Sequence, residues 1–139
     1  MDEAYSPLKV YIASRFPDRD DCLYLKGQLE ARGYQVTSTW LTPADGNSAN
    51  MATLRGKHVE CRQRAIKDIE DIKAADVVVL MSPKKAHRNG TGGRHVECGI
   101  SIALGKPIIL VGERENVFHY HPLVRVVGDE MGVYGALGA

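Results

Sequence analysis

Cysteine is scarce in this chain. Cys22, Cys61 and Cys98 make an odd count at spacings that suit no disulfide framework. Free thiols in a reducing cytosol, and so a cytoplasmic protein, are the expectation. An excess of one charge is lacking too: 18 basic residues face 17 acidic ones, for a formal net charge of +1. Without a basic field, polymeric nucleic acid is not an expected partner. Long hydrophobic runs are missing. The longest, "ADVVVLM" and "PIILVG", fall far short of the ~20 apolar residues that cross a bilayer, so no membrane partner is expected. The opening "MDEAYSPLK" has no apolar signal-peptide core. What these absences leave is a soluble globular chain of 139 residues, a single domain over 1–139.

What is present is an alternation of short β-branched runs with longer helical patterns. "LKVYIA" (8–13) reads as a strand, and "DDCLYLKGQLEARG" (20–33) as a helix closed by Gly33, with Cys22, Leu25 and Leu29 on its buried face. "YQVTSTW" (34–40) is a second strand. A long helix runs to about Ala75 with an apolar stripe of Val59, Ala65, Ile66, Ile69 and Ile72. "DVVVLM" (76–81) is a continuous apolar strand, the mark of a central parallel position. A helix over 94–104 follows, with Val96, Ile100, Ala103 and Leu104 as its buried stripe and Gly105 and Pro107 as its stop. "PIILVG" (107–112) and "PLVRVV" (122–127) complete five strands. The pattern predicts an α/β fold: one doubly wound domain with a five-stranded parallel sheet in the flavodoxin-like order 2-1-3-4-5. Ligands of such sheets bind beyond the carboxyl ends of strands 1 and 3, where "ASRFPD" and "SPKKAHRNGTGG" lie.

The tetrapeptide "HVEC" occurs twice, at 58–61 and 95–98. A duplication would repeat its context, and the strand and glycine loop before His95 have no counterpart before His58. Two His/Cys pairs could in principle hold zinc, but Lys57, Arg62 and Arg64 crowd the first copy with positive charge. A metal is not expected there, nor at His119 and His121. Glu97 is placed to open a helix entered through glycines, where free N–H groups favour an ionised carboxylate. Position alone does not separate a catalytic acid from one that merely complements the helix dipole. Gly90, Gly92 and Gly93 allow close backbone approach to a ligand but match neither G-x-G-x-x-G nor a P-loop. Asp68 flanks its helix's stripe, and pairing with Arg64 at the surface would account for it equally well. Arg15 and Phe16 could clamp and stack a ligand, or simply cap a loop.

Taken together, "KVYIASRF" (9–16), "GYQVTSTW" (33–40), "AIKDIEDIKAADVVVLM" (65–81) and "GGRHVECGISIALGKPIILVGERENVFHYHP" (92–122) resemble the nucleoside 2-deoxyribosyltransferase family. The resemblance implies that Glu97 is the nucleophile. It implies that Asp68, eight residues before the aspartate opening strand 3, is the second acid, and that Tyr11 positions the nucleophile. Ser14, Arg15, Phe16, Trp40, Thr91, Gly92, Gly93 and Asn116 are the substrate-binding residues it implies. The loop "GERENVFHYHP" would reach a neighbouring subunit's pocket, so a homo-oligomer, a dimer or higher, is expected. Thr91 stands where transferases acting on free nucleosides carry an aspartate, and resembles instead the related deoxynucleoside 5′-monophosphate N-glycosidases. The chain also ends "GVYGALGA", without the aromatic terminus of some transferases.

The implied chemistry is cleavage or transfer at the N-glycosidic bond of a nucleoside or its 5′-monophosphate. Its transition state is oxocarbenium-like, and a carboxylate at the anomeric carbon can stabilise it and form a covalent glycosyl intermediate. No metal or redox cofactor is needed. Two other readings are a catalytically silent nucleotide-binding module on the same scaffold and a phosphoribohydrolase of the cytokinin-activating type. The second usually shows a fuller "PGGxGTxxE" than "NGTGGRHVE" provides.

Overall fold

The computed structural model describes residues 7–42, 56–83 and 92–138. Its strands are β1 (Lys9–Ala13), β2 (Gln35–Val36), β3 (Val77–Met81), β4 (Ile108–Val111) and β5 (Val124–Val127). The helices between and after them are α1 (Arg19–Ala31), α2 (His58–Ala74), α3 (Gly93–Ala103) and α4 (Glu130–Gly138). All strand pairs are parallel, in the order β2-β1-β3-β4-β5. This is the expected doubly wound sheet.

The sheet's centre is dry because β1, β3 and β4 carry apolar residues on both faces: Val10, Tyr11, Ile12, Val78, Val79 and Leu110 are fully buried. Tyr11 is in register with Val78, and Val78 with Ile108, so the three side chains share one face. Helices α2 and α3 pack against each other on that face. On the opposite face α1 and α4 line a cleft of about 440 Å³ over Met81 and Val111. Helix α1 buries Cys22, Leu25 and Leu29 as expected. It stops in a Schellman arrangement: Gly33 takes φ 90° and the Tyr34 N–H donates to the Leu29 carbonyl at 3.0 Å.

The expected second strand is mostly absent. Pairing ends at Val36, and Thr39–Leu41 forms a 3-10 turn. Side chains take over the ladder there. Ser38 Oγ accepts the Ile12 N–H at 3.1 Å and the Trp40 indole N–H donates to the Ile12 carbonyl at 2.8 Å. The backbone is thus released into a turn without orphaning strand β1.

The two expected helical stripes hold only at Ile72, which is fully buried, and at Ile100, which packs half-buried against the core. On α2 only Asp71 and Ile72 are buried, while Val59 is 60% and Ile66 53% exposed. On α3 the buried residues are Arg94, Cys98 and Ser101, and Val96 is 64% exposed, with Ala103 and Leu104 exposed as well. The inward face of α3 is small or polar because it must meet the ends of β3 and β4, where the Glu115 carboxylate accepts from both Arg94 and Ser82. Most of the apolar positions on these two helices face away from the sheet.

Candidate active site

Gly92 precedes α3 at φ 82°, a left-handed backbone that a side chain would strain, and Gly93 is the helix's first residue. Glu97 therefore lies past the first turn, one step beyond the free N–H groups, which corrects the expectation that it opens the helix. Its carboxyl turns inward. The Tyr11 hydroxyl, rising from the middle of β1, donates to Glu97 Oε2. Ser101 Oγ donates to the Glu97 carbonyl at 2.7 Å and steadies the turn below.

Electrostatics follow from this burial. Burial pushes the Glu97 carboxyl up to about 8, against the Tyr11 hydrogen bond, and the charge of Asp68 adds to the rise. The expected bias towards an ionised carboxylate is thus reversed: at this depth desolvation outweighs helix-end effects. Asp68, half-buried on α2, is raised to about 6 by burial and then by Asp71, with Arg64 opposing. Tyr11 is raised well above its ordinary value by burial, then by Glu97 and Asp68. It stays a hydroxyl donor at every working pH. Tyr11, Asp68 and Glu97 come from β1, α2 and α3, and each acid's charge is felt at the tyrosine.

Beside this triad lies a polar network that fastens the loop after β4 to α3. Arg94 and Glu115, both nearly buried, form a two-pronged pair at 3.2 and 2.7 Å, with Ser82 Oγ donating to the same carboxylate at 3.2 Å. Burial alone would raise Glu115, but Arg94, His95 and Ser82 together hold it below its usual range. His119 Nδ1 accepts the Glu115 N–H at 2.8 Å, and His121 Nδ1 accepts the Leu123 N–H at 3.1 Å. The two histidines considered as metal ligands thus serve the backbone of their own loop. Asn116 caps the 3-10 turn Val117–Tyr120, its Oδ1 accepting the Phe118 N–H at 3.0 Å, and its Nδ2 lies 3.2 Å from His95 Nδ1.

The remaining expected ligands divide. Ser14 is buried at the end of β1 beside the Cys22 thiol, which burial pushes up to about 12. Arg15 holds Asp18 through two contacts, at 2.8 and 3.2 Å, and half-buried Phe16 opens the 3-10 turn Phe16–Asp18. Trp40 is in the core with its indole N–H engaged. Thr91 lies outside the described residues, as does Gly90. The first "HVEC" opens α2, with His58, Val59 and Glu60 exposed. Asp71, Arg94 and Glu115 were not anticipated. Asp71 could have been noticed from its spacing, three residues after Asp68 on one helix.

Two solved structures share this architecture. One is a 2-deoxyribosyltransferase from Bacillus psychrosaccharolyticus, 24% identical over 90% of this chain and 89% of that one, with a TM-score of 0.65. The other is the CMP N-glycosidase of Clostridium botulinum, 18% identical over 94% of this chain and 99% of that one, at a TM-score of 0.53. The chain has their fold. No family model matches the sequence, and no curated protein matches it. No helix among the described residues is long and apolar enough to cross a membrane.

Proposed function

We propose that the protein cleaves or transfers at the N-glycosidic bond of (deoxy)nucleosides or their 5′-monophosphates, as a member of the nucleoside 2-deoxyribosyltransferase and N-glycosidase family. The observation that carries the reading is the Tyr11 hydroxyl bonded to a buried Glu97 carboxyl within reach of the Asp68 charge. A carboxyl so deeply desolvated is costly to the fold, and such costs gather at functional sites. Of the two solved structures with this fold, one is a 2-deoxyribosyltransferase and the other a CMP N-glycosidase.

In this reading a Glu97 carboxylate oxygen attacks the anomeric carbon as the bond from that carbon to the base nitrogen breaks. Asp68 gives its proton to the departing base. Tyr11 donates to Glu97 and fixes the attacking oxygen. Water or a second base then attacks the same carbon, Asp68 takes up the proton it releases, and Glu97 is freed. Two displacements return the original configuration. Gly92, Gly93 and Thr91 would meet the 5′ end of the substrate. A neutral threonine there tolerates a phosphate that an aspartate would repel. Arg15, Phe16 and Asn116 would bound the sugar and base, with Ser14 and Trp40 buried behind them as supports.

A homo-oligomer in a reducing cytoplasm completes the reading. Val59, Ile66, Ile69 and Val96 are exposed on the two helices that carry the acids, with Leu104 just past the end of the second, and exposed apolar side chains gathered in this way suit an interface. A second copy laid antiparallel across Ile66 sets Arg62 of each copy against Glu70 of the other, the self-complementarity a two-fold interface needs. The three cysteines are free thiols. The test of the activity is base release from a panel of nucleosides and 5′-monophosphates, with and without an acceptor base. Release that requires the acceptor marks a transferase, and release into water a hydrolase.

A further inference from the structure

Asp71 has no part in the reaction drawn above, yet it is one of the most thoroughly held side chains in the molecule. It is 4% exposed, rare for an aspartate without partners. Three donors converge on it. The Thr39 N–H and Thr39 Oγ1 reach Oδ2 at 3.0 and 2.6 Å, and Lys67 Nζ reaches Oδ1 at 3.2 Å. Every contact is a donor, so the site is built for a carboxylate. Asp71 also follows Asp68 by one helical turn, where side chains are neighbours.

We propose that Asp71 is a positioning residue for the reaction: its clamped negative charge, one turn from Asp68, makes Asp68 able to carry the proton that the departing base needs. The inference rests on the assignment of Asp68 as acid and Glu97 as nucleophile. Arg64 and Asp71 on its own helix act on the Asp68 charge, and that charge in turn acts on Tyr11 from β1 and Glu97 from α3. Asp68 titrates at about 6 and Glu97 at about 8, so between these values the two carboxyls hold one proton. On Glu97 that proton blocks the nucleophile; on Asp68 it is productive. Each pH unit of separation between the two groups makes the productive arrangement about tenfold rarer. Asp71 narrows the separation from the Asp68 side. Lys67, half exposed, tempers the charge without removing it, and Thr39 keeps the carboxylate from turning to solvent.

The test is a ¹³C-carboxyl NMR titration of Asp68 and Glu97 in the full chain, for the wild type and for Asp71→Asn, beside the pH profile of kcat/KM. In the variant the Asp68 midpoint should fall by about one pH unit. The plateau of kcat should fall by roughly tenfold with KM nearly unchanged, and the acid limb of the profile should move down with Asp68. If Asp71→Asn does not fold, Asp71→Glu and Asp71→Gln, which differ from each other only in charge, give the same comparison, and Asp71→Glu should sit nearer the wild type. An Asp68 midpoint that ignores the charge at 71 overturns the proposal, whatever the activity does. A midpoint that moves in a chain that releases no base from any substrate overturns the reaction assigned to Asp68 and Glu97, and with it the catalytic role of Asp71.

Discussion

The Tyr11 hydroxyl on an inner strand donates to the Glu97 carboxyl 86 positions later, tying the sheet to the helix that lies over it. The contact fixes where an otherwise mobile glutamate points. It also recovers only part of the cost of burying that carboxyl, which still titrates at about 8.

That cost should be measurable in stability. Glu97 binds its proton more tightly in the folded chain than in the unfolded one. Stability is therefore lost as pH rises from the ordinary value of 4.5 through about 8, and only the ionised form carries the penalty. Glu97→Gln keeps an acceptor for Tyr11 and cannot ionise. Calorimetry at pH 8 should show it melting about 5 °C above the wild type, the gap closing as pH approaches 4.5. Equal melting temperatures at both pH values would contradict the burial argument.

Activity should follow a bell. Below about 6 Asp68 and Glu97 are both protonated and the nucleophile is lost. Above about 8 both are ionised and no proton is left for the departing base. kcat/KM should therefore be greatest between these values and fall about tenfold per pH unit outside them. A rate that kept rising beyond pH 9 would remove Asp68 from the role of acid.

Arg94 and Glu115 form a nearly buried pair, at 4% and 8% side-chain exposure. Arg94→Ala leaves an uncompensated carboxylate beside Ser82 and His95, a loss of roughly 3–5 kcal/mol. Urea titration measures it directly. A loss below 1 kcal/mol would mean that solvent reaches Glu115 freely.

The exposed apolar face makes its own prediction. Ile66→Glu should give monomers in sedimentation at concentrations where the wild type is a dimer or larger, with far-ultraviolet circular dichroism unchanged. A wild type that sediments as a monomer while fully active would end the oligomer proposal.

Much of this arrangement was legible beforehand, and the reasons are local. Strands β1, β3 and β4 announce themselves as unbroken β-branched runs because both of their faces are covered. Gly33 marks the end of α1, where a left-handed residue is required. Glu97, Asp68 and Tyr11 were singled out together; the structure joins Tyr11 to Glu97 by a hydrogen bond and leaves Asp68 close enough for its charge to be felt at both. The orientation of α2 and α3 was not legible. A hydrophobic stripe does not say which way its helix will turn it, and here Val59, Ile66 and Val96 point outward. The shortness of β2 was hidden too, since Ser38 and Trp40 replace backbone pairing with side-chain hydrogen bonds. Asp71 escaped because two of its three donors come from Thr39, in a turn that only the fold brings against it, while Lys67 one helical turn away gave no sign of burial by itself.

The most direct test of the account is chromatographic detection of free base from deoxynucleosides and their 5′-monophosphates, run on the wild type and on folded Glu97→Gln. The wild type should release base from at least one substrate. The variant should be slower by about three powers of ten or more, as expected when a covalent nucleophile is removed. Undiminished release by Glu97→Gln, or none by the wild type from any member of the panel with or without an acceptor base, would contradict it.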